Sequence, residues 1–175
     1  NGSHEPFHCA FDTIASATPF SAQRTTPKPF VQGPQTAVVT VDGADEYGRV
    51  KVKFFWDRNS EDSCWVRVSQ GVAGTGWGAM SIPEVDHEVI VSFLEGDPDK
   101  PIITGRVYND ANMPPSLWAD DTKKIVLVDS VDNKALFDAS DSGNPVVHVT
   151  QPSGNEFKLE DTAGIEIRDQ ADNEV

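Results

Sequence analysis

The sequence predicts an all-β fold in two parts: a five-stranded barrel, then the start of a thin, repetitive stem. Three observations carry this. Five short segments rich in β-branched residues fall within about 75 residues, most of them alternating apolar and polar positions. No stretch shows helical periodicity. Beyond residue 122, still shorter strand-like segments recur at intervals of roughly ten residues.

Bulk properties narrow the possibilities. The 175 residues suit one ordinary domain, or one domain plus an extension. There is no run of about 18 apolar residues, so no transmembrane helix is encoded, and no basic-then-apolar leader opens the chain. A formal net charge of −14 opposes nucleic acids read through phosphates, and anionic membranes as well. From Asp120 to Val175 there are 13 acidic and 5 basic residues, so −8 of that charge lies in the tail. Cys9 and Cys64 are the only cysteines. Two so far apart make no disulfide framework and read as reduced thiols of a cytoplasmic protein.

Residues 1–34 contain Pro6, Pro19, Pro27, Pro29 and Pro34, so "RTTPKPFVQGP" reads as an extended linker. Phe7, Phe11, Phe20 and Phe30 are the side chains able to pin it to a neighbouring surface. The barrel is expected over 35–108. "QTAVVTVDG" is a strand ending in a turn. In "YGRVKVKFFW", Val50, Val52, Phe54 and Trp56 share one face, and Arg49, Lys51, Lys53 and Phe55 the other. "DRNSEDS" is a polar hairpin loop. "CWVRVSQ" turns Val66 and Val68 inward, Trp65 and Arg67 outward. "GVAGTGWGAMSIP" (Gly71 to Pro83) reads as a glycine-rich loop. "HEVIVSFLEG" is the fourth strand. "DPDKP" is a turn, its prolines fixing φ and its aspartates accepting backbone bonds. "IITGRVY" is the fifth strand. Five such strands suit a small closed barrel, and the OB-fold is the commonest five-stranded solution. Its expected core is Val50, Val52, Phe54, Val66, Val68, Val89, Val91 and Phe93.

A connector over 109–122 breaks the pattern at "NDANMPPSLWADD". Over 123–175, "KKIVLVDS", "NKALFDAS", "NPVVHVTQ", "NEFKLEDT" and "GIEIRDQ" each offer two or three apolar positions between turn residues. The clearest are Ile125/Leu127, Val147/Val149, Phe157/Leu159 and Ile165/Ile167, the expected stem core. One such segment cannot bury enough surface alone, so the repeats must stack or intertwine. Three chains wound together would supply the missing face. The acidic residues then form a solvated coat that discourages stray strand pairing.

Taken in order, "GPQTAVV", "EYGRVKVKFFWDR", "SCWVRVSQ", "AGTGWGAMSIP", "HEVIVSFLEGDPDKPIITGRVYN" and the following "PP" resemble the VgrG family. These are the spike proteins of bacterial type VI secretion systems, related to the hub and cell-puncturing proteins of contractile phage tails. The likeness runs from about Pro29 to Pro115. It implies that residues 1–34 lead out of a hub domain missing from this sequence, and that 123–175 begin a trimeric, intertwined β-helix needle. It further implies a homotrimer seated on a tube of secreted subunits, capped by a needle-tip sharpening protein and carrying effector proteins. Such a device is assembled in the bacterial cytoplasm, then driven out of it, with no cofactor, no turnover and no stable membrane insertion. The same architecture serves as the spike of a contractile phage tail. In one departure, Asp86 stands where family members have glycine.

Other chemistry is weaker. "HEPFH" (His4 to His8) matches the zinc-protease pattern, but Pro6 and the absence of an apolar helix leave it an extended segment. "GVAGTGWG" lacks the lysine and helix of a phosphate cradle. "DPD" and "DASDSGN" are turn chemistry without the bidentate glutamate of a calcium loop. No catalytic, cofactor or metal residue is assigned. The outward Arg49, Lys51, Lys53 and Arg67, with Trp65 and Phe55, could line an oligonucleotide groove of an OB-fold. The reading preferred here makes Arg49, Lys51, Lys53, Trp65 and Arg67 an inter-subunit or intra-assembly surface, with Asp45, Glu46, Asp57, Glu61, Asp62 and Glu88 as neutralising partners.

Overall fold

The computed structural model describes residues 8–59, 62–115 and 123–171; His4 to Phe7 of "HEPFH", and Glu61, lie outside them. The described residues contain no α-helix, only a single 3-10 turn at Leu94–Gly96. No helix is long and apolar enough to cross a membrane.

The alternating segments pair as strands. In chain order they are β1 (Gln35–Val39), β2 (Val52–Phe54), β3 (Arg67–Val68), β4 (Val72–Gly74), β5 (Trp77–Ala79), β6 (Glu88–Phe93) and β7 (Pro101–Val107). One five-stranded sheet runs β2-β1-β6-β7-β3. All neighbours in it are antiparallel except β3 and β7, which pair parallel through Arg67↔Ile102 and Val68↔Ile103. An antiparallel bridge between Val50 and Val66 joins the two outer strands and closes the ring, with N–H···O distances of 3.0 and 2.8 Å. This is an OB-type barrel. A register shift makes Thr104 of β7 a bulge opposite Ile90/Val91, the local coiling that a five-strand closure needs.

The barrel interior is aliphatic. Ala37, Val39, Val50, Val52, Val66, Val89, Val91 and Ile103 are fully buried, with Phe54, Val68, Ile82 and Phe93 packed around them. No polar or charged side chain among the described residues is buried with them.

The structure corrects the sequence reading at three places. Trp56 does not continue the inward face. The strand ends at Phe54, a turn follows, and Trp56 is 64% exposed, stacked on Phe54 and donating from Nε1 to Gln35 Oε1. The glycine-rich loop is instead a hairpin: β4 and β5 pair through Val72↔Ala79 and Gly74↔Trp77, turned at Thr75–Gly76 with Gly76 at φ +74°. The linker phenylalanines in the described residues, Phe11, Phe20 and Phe30, are all largely exposed, and Phe30 lays one edge of its ring against Gly96.

Beyond the connector, β8 (Lys124–Val128), β9 (Lys134–Asp138), β10 (Val146–Thr150), β11 (Glu156–Glu160) and β12 (Gly164–Arg168) form a separate antiparallel meander in sequence order. Turn residues punctuate it as expected. Asp129 Oδ1 accepts from the Val131 and Asn133 N–H groups. Alternate turns are tied together: Asn144 Oδ1 accepts from the Thr162 N–H at 3.2 Å, and Asn155 Oδ1 from the Gln170 N–H at 3.0 Å.

Candidate functional site

Strand register fixes the geometry of the meander. Ile125, Phe137, Val147, Leu159 and Ile165 oppose one another in one row across all five strands. Leu127, Ala135, Val149, Phe157 and Ile167 form a second row. Side chains two apart share a face, so both rows lie on one side. All eight residues expected in the stem core fall in these rows. Ala135 and Phe137 complete them; "ALF" runs three apolar residues together, so its alternation could not be read.

This apolar side is open within the single chain. Ile125 is 64% and Leu127 66% exposed. A hollow of about 340 Å³ lies on it, bordered by Pro145, Val147, Leu159 and Ile165. The opposite side interleaves charges with the partly covered Val126, Val128, Leu136 and Val146. Lys124 meets Asp138 at 3.3 Å, His148 meets Glu156 at 3.0 Å and Lys158 meets Glu160 at 2.9 Å, while Arg168 pairs with Glu166. Hydrogen bonding shifts the carboxylates. Lys158 holds Glu160 below the usual range, and Ser140, then Lys124, does the same for Asp138. One side of this sheet thus carries all the ion pairs, and the other is apolar throughout its two rows.

On the barrel, the Val50–Val66 bridge sets Lys51 opposite Trp65 and Arg49 opposite Arg67. Lys51 Nζ lies 5.4 Å from the Trp65 ring centre, a cation–π contact. Asp45 neutralises Arg49, with Nε to Oδ2 at 2.6 Å, and the Arg49 guanidinium covers Tyr47. Among the described residues, Lys51, Lys53 and Arg67 form no ion pair with the other expected carboxylates, and Glu88 accepts from Asn109 instead. Lys53 borders an open groove of about 520 Å³ over β1 and β2, with Val38, Phe55, Asp57 and Val85. The five surface residues thus do not form one continuous basic track. Cys9 and Cys64 are free and exposed. No three metal-ligating side chains converge among the described residues.

Comparison with known proteins bears on both parts. Residues 35–108 match the family described as the type VI secretion system/phage-baseplate injector OB domain. The spike protein VgrG1a of Pseudomonas aeruginosa is 43% identical over 174 residues, covering 94% of this chain and 25% of that protein. VgrG1b of the same organism is 44% identical over 169 residues, covering 91% and 21%. The actin cross-linking toxin VgrG1 of Vibrio cholerae is 54% identical over 110 residues, covering 58% of this chain and 10% of that one. The chain spans about a quarter of the Pseudomonas relatives it matches.

The barrel is thus an injector OB domain, of the class that type VI secretion systems and phage baseplates share. With likeness to spike proteins over nearly its whole length, the chain belongs to the VgrG family of type VI secretion spike proteins.

Proposed function

We propose that this chain is the part of a puncturing spike where an OB barrel passes into a trimeric β-helix stem, and that its work is mechanical rather than catalytic. The observation that supports this best is the two-row apolar side of β8–β12, backed by a lattice of ion pairs. A face only two side chains wide is too narrow for a core of its own. Three copies, each turning that face to a common axis, enclose a dry prism and leave the charges in water. Covering a half-exposed Ile or Leu contributes about 1 kcal/mol, and there are ten positions per chain. Such a stem stiffens without any ligand. In this reading the trimer sits on a secretion tube protein, carries a needle-tip sharpening protein and effectors, and passes from the bacterial cytoplasm to the outside.

Absolute mass by light scattering across a concentration series tests the reading. The expected result is a trimer for the parent chain, and a folded monomer for Leu127→Glu combined with Phe157→Glu, because both positions are exposed in a single copy. A parent chain that stays monomeric at every concentration ends it.

A further inference from the structure

We infer that the β4–β5 hairpin is a contact between copies of this chain, made at the end of the barrel from which the chain runs on toward the stem. The inference rests on the trimeric reading above. Every residue from Gly71 to Ser81 is exposed, yet the segment is not built for water. Trp77 is 68% and Met80 78% exposed. Register puts Val72, Gly74, Trp77 and Ala79 on one side, and the Trp77 indole lies across Gly74, where a Cβ would come within 2.3 Å of the ring.

The hairpin is also aimed. An isolated two-stranded ribbon is marginal in water. This one is clamped at its neck, where Gln70 Oε1 accepts from the Ser81 N–H at 3.0 Å and Gln70 Nε2 donates to Ser81 O at 3.3 Å. The Arg106 guanidinium, near the end of β7, donates to the same carbonyl. A projecting apolar element held in one orientation loses little freedom when it docks.

Charge selects the occupant. Each copy carries −14, so two copies repel wherever charged surfaces meet. From Val68 to Pro83 no residue is charged, and this is the longest such stretch in the chain. An oppositely charged partner would be met by a charged patch. A like-charged copy needs a neutral one, rich in aromatic and methionine side chains. Copies joined through their stems bring this end of their barrels together.

The test uses the full chain with Cys9→Ser and Cys64→Ser, carrying either Met80→Cys or, as control in an exposed turn, Asp42→Cys. Maleimide labelling rates are measured alongside absolute mass. The expected result is a trimer in which position 80 reacts about tenfold more slowly than position 42, with Trp77→Ala restoring fast labelling at position 80. A trimer labelled equally fast at both positions overturns the hairpin contact and leaves the trimeric stem standing. A monomer overturns both, whatever its labelling.

Discussion

The ring of Phe30 fills the space that a side chain at position 96 would need: a Cβ on Gly96 would stand 2.1 Å from it. Gly96 is buried and has φ +70°, so glycine is required there twice over. The Val31 N–H donates to Gly96 O at 2.9 Å, and Lys28 Nζ reaches Asp97 Oδ2 at 2.7 Å. The end of the linker is therefore tied to the barrel at one turn. Gly96→Ala is expected to cost about 2–4 kcal/mol, from left-handed strain plus overpacking. In a Phe30→Ala background the overpacking disappears, and the cost falls to about 1–2 kcal/mol. Denaturant unfolding of the four chains measures this, and equal costs in both backgrounds would unseat Phe30.

Asp86 adopts φ +67°, a conformation that suits glycine. Its backbone is held there: the Asp86 N–H donates to Val39 O at 3.0 Å, and Asn112 Nδ2 donates to Asp86 O at 3.0 Å. Aspartate tolerates the left-handed region better than most residues, which explains how it holds this conformation. Asp86→Gly should be neutral or up to about 1 kcal/mol stabilising, and Asp86→Val destabilising by about 1–2 kcal/mol. Chemical denaturation ranks the three; a valine variant equal to the parent would contradict the strain.

Val66 is fully buried and forms the closing bridge, whereas its neighbour Arg67 points outward. Val66→Asp buries an unpaired charge and is expected to abolish the cooperative melt, a loss of several kcal/mol. Arg67→Asp should shift stability by less than about 1 kcal/mol. Circular dichroism on heating separates them, and a Val66→Asp chain that melts like the parent would reverse the strand's facing.

Acid should weaken the stem sheet, at its turns as well as its charged side. Asp129, Asp138 and Glu160 are all held below their ordinary pKa, by Asn133, Ser140 and Lys158 respectively. A carboxylate lowered in the folded state adds stability that is complete above its unfolded pKa and is lost as pH falls through the folded one. The melting temperature is expected to stay level from pH 7 to about 5, then decline below about pH 4. Glu160→Gln should begin lower and decline less. A parent curve flat down to pH 2 would show these pairs to be idle.

Much of the barrel was legible because its strands are half-buried and alternate, so period-two patterning identified Val50, Val52, Val66, Val89 and Val91 directly. Trp56 was misplaced because patterning carries no signal for where a strand stops; the turn after Phe54 lifts the indole out. The hairpin was invisible for the opposite reason. Its strands are exposed on both sides and mostly glycine and alanine, so they have no pattern to read. In the stem, composition revealed the repeat, but only cross-strand register aligns ten side chains into two rows. Among the described residues of one chain, Lys51, Lys53 and Arg67 meet none of the acids near them in sequence, because closeness in sequence does not bring charges together on a curved sheet.

The barrel's closure by a single bridge has a consequence for how it moves. β1 and β6 are held on both flanks, but β3 has only two residues paired to β7, with the Val50–Val66 exchange and a Ser63 N–H to Val52 O bond on its other flank. This strand is the seam along which the barrel breathes. Its amide hydrogens will exchange with solvent ahead of those of β1 and β6, and a protease will find its first foothold beside it. The barrel has its weakest stitch there, and the Lys51–Trp65 contact lies across it like a clasp.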